Sequence, residues 1–130
     1  MTAAAVLPEV PEAEAPPETA AIYAGLREAV GVPIVNLIWR HFATLPGVLP
    51  WAWEATRGVI GSDTVAEGAE RMAALVRAAP DLSLSAIGPA LGALPAEEQA
   101  RVAGVVRVYN RGNRVNLQVL SAVRRLIASG

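Results

Sequence analysis

The sequence predicts an all-α fold, a compact bundle of six or seven helices. Three observations carry that expectation. Apolar residues recur three and four positions apart along most of the chain, and alternation at period two never persists. The 130 residues are 53% hydrophobic but only 5% aromatic, and small apolar side chains suit closely packed helices better than a sheet core. Proline and glycine fall between the periodic stretches and divide them into helix-sized pieces.

Residues 1–17 are rich in Pro, Ala and Glu and read as an arm with little local structure, of a kind that sometimes wraps a neighbouring subunit. Residues 18–130 read as one helical domain. The first helix starts near Glu18, aligns Ile22, Leu26, Ala29 and Val30, and stops at Gly31. Pro33 suits the first turn of a second helix reaching Thr44, and Pro46-Gly47 breaks it. A third helix carries Trp51 and Trp53 to about Ile60. Thr64 with Glu67 resembles a capping box for a fourth, whose inner face is Val65, Ala69, Met72 and Val76. Pro80-Asp81 ends it. Leu82-Ser83-Leu84 is a brief alternation, and Gly88-Pro89 argues for a turn followed by one helical turn. Pro95 at the first helical position, with Glu97 and Glu98, opens the next helix, striped by Val102, Val105, Val106 and Tyr109. The segment Tyr109–Arg114 interrupts it, and a last helix carries Leu117, Leu120, Val123 and Ile127.

Composition narrows the chemistry. There is no cysteine and one histidine, which excludes disulfides, thiolate catalysis and multi-histidine or cysteine metal sites within one chain. The net charge of −1 recommends neither nucleic acid nor an anionic membrane as partner. No apolar run has the length of a transmembrane helix, and the N-terminus lacks the pattern of a signal peptide, so a cytoplasmic protein is expected.

The segment Val32–Gly47 draws most attention, because it sets Asn36, Arg40 and His41 into apolar surroundings. A buried polar group without a partner costs about 1–3 kcal/mol, so these side chains call for internal partners or a ligand. Arg40 can hold a carboxylate by paired hydrogen bonds or reach out to water. Asn113 and Asn116, one helical turn apart, can orient a water or a substrate carbonyl, or simply cap a helix end. Glu54, Glu67 and His41 are the candidate general bases. A Gly-rich phosphate loop, a Gly-x-Ser-x-Gly elbow and a His-Glu-x-x-His pair are all missing.

Several pieces taken in order resemble one family. They are Ile22-Tyr23 with Leu26-Arg27, Val32-Pro33-x-Val35, Arg40, Ala43-Thr44-x-Pro46-Gly47, Leu49-Pro50-x-Ala52-Trp53, Ile87-Gly88-Pro89 and Asn110-x-Gly112-Asn113. Together they look like the cofactor-free, all-α 2-haloacid dehalogenases of the D- and DL-acting type. Those enzymes are about twice this length and hold two diverged repeats as a pseudo-dimer, with the active site in a channel at the junction. The resemblance therefore implies that this chain corresponds to one repeat and assembles as a homodimer, without cofactor or metal. It implies that Asn113 helps bind substrate or water and that Ile34 and Leu37 line the channel, where the family has aromatic residues; Asn116, Asn36, Arg40 and Ile38 complete the candidate substrate-binding set. In the family an aspartate activates the water that displaces halide directly from C2. Its position falls close to Ile38, and no Asp or Glu lies between Glu28 and Glu54. Asp63-x-x-x-Glu67 has the spacing of a Thr-x-x-x-Glu pair used by some members. Two readings follow: hydrolysis of 2-haloalkanoic acids with a substituted base, or a non-catalytic homodimer that binds a small carboxylate or an apolar ligand. The chain also resembles, more loosely, the carboxymuconolactone decarboxylase and peroxidase-like helical oligomers, whose redox branch the missing cysteine removes.

Overall fold

Six α-helices and one turn of 3-10 helix form the described residues, 6–78 and 84–130, of this computed structural model, and there is no strand among them. Helix α1 spans Pro17–Val30. It stops where expected: Gly31 takes φ 73°, a left-handed conformation that a side chain disfavours, and its N–H donates to the Arg27 carbonyl. Tyr23, Leu26 and Val30 form its buried face.

The second helix is shorter than the sequence suggests. Helix α2 covers only Leu37–Phe42, because Asn36 stays extended (φ −60°, ψ 147°). Two tethers hold this stretch open: the Val35 N–H donates to Glu12 Oε1 (2.8 Å), and the Asn36 amide reaches Asn113. Helix α3, Val48–Thr56, follows Gly47 at φ 74° and ends four residues before the expected Ile60. The Thr56 hydroxyl turns back to the Ala52 carbonyl (2.7 Å), and the N–H groups of Val59 and Ile60 both close on the Thr56 carbonyl, which tucks Ile60 into the core.

Helix α4, Asp63–Ala78, is capped by Ser62 rather than Thr64: Ser62 Oγ accepts from the Val65 N–H, and Asp63 takes the first helical position. Its covered stripe is Gly68, Ala69 and Ala73, whereas Val76, expected inside, is exposed, because α4 past Ala73 borders a polar cleft. The expected stop at Pro80-Asp81 and most of the Leu82-Ser83-Leu84 alternation lie outside the described residues. Helix α5, Leu84–Gly92, contains Pro89 where a turn was expected, since a proline late in so short a helix removes a single hydrogen bond.

Helix α6 runs unbroken from Ala96 to Ser129, 34 residues, a length of about 51 Å. Pro95 caps it instead of entering it. The interruption expected at Tyr109–Arg114 does not occur. Gly112 is there for a close approach: a β-carbon on it would stand 3.1 Å from Asn36 Oδ1. The core lies between α1, α2, α3 and the second half of α6, around Tyr23, Leu26, Trp39, Leu49, Ile60, Val115 and Val119. The stripes expected inside the other stretches of α6 are largely uncovered: Val102, Val105, Val106, Tyr109, Leu117 and Ile127 are exposed.

The described part of the segment read as an arm, residues 6–17, lies along its own chain. The Val10 N–H donates to the Arg40 carbonyl (3.0 Å), Tyr23 Oη donates to the Val10 carbonyl (2.9 Å), and the 3-10 turn Glu12–Glu14 sets Glu12 against Arg27. The local structure is therefore considerable, and its physical reason is that polar groups of α1 and α2 need the partners it supplies. No helix among the described residues is long and apolar enough to cross a membrane. The chain exposes 9188 Å², against about 6,500 Å² for a folded chain of this mass.

Candidate functional site

Segment 33–42 crosses α6 near its middle, and two hydrogen bonds pin the crossing. Asn36 Nδ2 donates to Asn113 Oδ1 (3.2 Å), and Trp39 Nε1 donates to Asn116 Oδ1 (2.7 Å). Asn116 returns its own amide hydrogen to the Gly112 carbonyl (2.8 Å). Asn116 is thus buried with both ends of its amide engaged, and it serves the fold rather than a ligand. Asn113 is exposed, and the bond from Asn36 occupies its oxygen and leaves its NH2 group free to face outward among the described residues.

Two apolar grooves flank this crossing. Pro33 and Ile34 with Val105, Val108 and Tyr109 line one of about 540 Å³. Ile38 and Phe42 with Leu120, Val123 and Ile127 line the other, of about 380 Å³. Leu37, between them in sequence, is 46% exposed. Of the residues singled out as channel lining, Ile34 lines the first groove, Ile38 the second, and Leu37 neither; Asn36 and Asn113 line neither groove.

The other candidates lie elsewhere. Arg40 forms an ion pair with Glu9, and His41 Nδ1 donates to the Pro8 carbonyl (2.8 Å), so both bind the arm. Glu54 pairs with Arg57 at the surface, its side chain 62% exposed, and Glu67 is exposed on α4. None of these four lines either groove. Among the described residues no group of three His, Asp or Glu side chains is placed to hold a metal.

One polar cleft escaped the sequence reading. Between α4 and α6, Arg77, Asn110, Asn113 and Arg114 line a space of about 280 Å³, walled on its apolar side by Ala73 and Val76. The signal was present in the run Asn110-Arg111-Gly112-Asn113-Arg114, but reading it as a loop hid the helical register that puts 110, 113 and 114 on one side. Beside Tyr23, burial pushes the phenol above its ordinary value of 10.0; the Arg40 charge opposes this, while Glu12 and Glu9 add to it.

No family model matches the chain, and neither does any curated protein or solved structure.

Proposed function

We propose that this chain is the subunit of a homodimer that binds a small molecule in the apolar grooves beside Asn36 and Asn113 and does not hydrolyse it. The observation that carries the reading is that, among the described residues, no acid or imidazole lines the grooves flanking the Asn36–Asn113 crossing. Glu54 and Glu67 are surface groups, and His41 is held by the Pro8 carbonyl. A water beside Asn113 has no base to take its proton, because an amide has no useful basicity. On this reading the likeness to the helical dehalogenases rests on the sequence pieces, with the position of their aspartate falling close to Ile38.

The exposed area supports the second copy. The excess over a compact monomer of this mass is about 2,700 Å² per chain, more than the roughly 1,000–2,500 Å² per partner that an obligate homodimer commonly buries, so an interface of ordinary size accounts for part of it. Much of it is apolar: Val105 and Tyr109 in the first groove, and Leu37 and Val106 elsewhere on α2 and α6, are all about half exposed. A C₂ axis near the crossing would set the same patch of both chains face to face and close the grooves into a chamber.

Two measurements test this together. Light scattering after size exclusion is expected to give twice 13.5 kDa, and Val105→Glu is expected to give the monomer. Incubation with D- and L-2-chloropropionate and their bromo analogues is expected to release no halide beyond an Asn113→Ala control. Halide release abolished by Asn113→Ala would replace the binding reading by an enzyme with a substituted base.

A further inference from the structure

We infer that the cleft between α4 and α6 is a binding site for a dianionic phosphoryl group, held by Arg114 and Arg77 with the amides of Asn113 and Asn110. The cleft is complete within one chain, so this inference stands apart from the homodimer.

The first argument is unspent charge. The four ion pairs among the described residues use Arg27, Arg40, Arg57 and Arg101; none uses Arg77 or Arg114. The second is a stranded donor. Arg114 Nε is shut off from solvent and has no hydrogen-bond partner. With Nε enclosed and unmatched, the guanidinium is not satisfied from within the chain, and its terminal N–H groups are the ones a ligand in the cleft can meet. Glu70 and Arg111 border the small cavity on the other side of Arg114, and Glu70 pairs with neither arginine. The third is the direction of the amides. Asn113 Oδ1 accepts from Asn36 while its NH2 group has no partner among the described residues, so this amide has donors to spare at the cleft beside the two guanidinium groups.

A set of donors carrying two positive charges around one compact space selects a single headgroup with several oxygens and charge near −2. A monocarboxylate would leave one guanidinium unmatched. Ala73 and Val76 supply the apolar part of the α4 wall beside Arg77, across from the α6 donors, and about 280 Å³ leaves room for a short organic group beyond the phosphoryl oxygens. The phosphoryl group can arrive as free phosphate or as a small monoester, and the two are separable.

Calorimetric titration of the full chain at low ionic strength tests the site, with inorganic phosphate, glycerol phosphate and acetate as the probes. Phosphate or glycerol phosphate is expected to bind once per chain, with acetate much weaker. Tighter binding of the ester identifies a monoester ligand, and equal binding identifies free phosphate. Arg114→Gln is expected to weaken binding about tenfold or more, the loss of a charge-assisted contact. Arg77→Gln, on an exposed part of α4, is expected to weaken it as well, and it answers the question if Arg114→Gln does not fold. Arg125→Gln, remote from the cleft, is expected to change nothing. The inference falls if neither phosphate binds, if acetate binds as well as phosphate, or if Arg125→Gln weakens binding as much as the cleft variants.

Discussion

At the scale of single residues, the polar side chains of segment 33–42 are the key to the fold. Trp39 and Asn116 form the most buried polar contact of the set, with the Trp39 ring 1% exposed. Trp39→Phe removes the indole donor and strands Asn116 Oδ1, and it is expected to cost about 1–3 kcal/mol beyond the lost ring area. A double-mutant cycle with Asn116→Ala, read by urea unfolding, should return a coupling of about 1 kcal/mol or more. Independent behaviour of the two residues would show that the bond contributes nothing. Tyr23 sets a second expectation. Its phenol is raised above 10.0 in the folded chain, so the neutral form is the one the fold favours. The stabilisation is fully present below pH 10, where folded and unfolded chains are both protonated, and declines as pH rises through the raised value. The stability difference between wild type and Tyr23→Phe should therefore be constant from neutral pH to about pH 9 and shrink above pH 10.

At the scale of elements, the arm and α2 explain each other. Glu12 receives both the Arg27 guanidinium and the Val35 N–H, so one carboxylate ties the arm to α1 and to the entrance of α2. Glu12→Ala is expected to destabilise by about 1–2 kcal/mol, while Glu12→Gln, which keeps an acceptor for Val35, should lose less. Equal losses in urea unfolding would mean that the backbone bond is immaterial. Removing residues 1–16 should lower the melting temperature further, since the Tyr23 hydroxyl, Arg40, His41 and the Val35 N–H all lose partners. The elements readable from sequence were those set by local backbone chemistry: the stop at Gly31, the break at Pro46-Gly47 and the start beyond Pro95. The continuity of α6 was not readable, because glycine at 112 answers to Asn36, a residue from another element. The same cause hid the fate of Arg40 and His41. Their partners sit in a Pro- and Glu-rich stretch whose composition argues for little structure, and only the folded chain brings Glu9 and Pro8 to them. Ile34, Leu37 and Ile38 share one short segment, yet its extended start and short helix send Ile34 and Ile38 to separate grooves, a split that the reading of one continuous helix hid.

At the scale of the molecule, the uncovered length of α6 dominates. If a second copy covers it, stability depends on chain concentration, and the melting temperature should rise steadily with dilution reversed, from micromolar to hundreds of micromolar protein. A melting temperature independent of concentration would argue for a self-sufficient monomer. The crossing of segment 33–42 over α6 carries one more consequence, for the order in which the chain is made. Asn36 and Trp39 each find their partner 77 residues downstream. While a ribosome is still producing the middle of the protein, α2 has no seat and the indole of Trp39 lies unburied. Contacts so distant along the chain form slowly and late, and the apolar segment waits exposed until they do. The arm and α1, both synthesised earlier, are present in time to shield it, the arm already able to take Arg40 and His41.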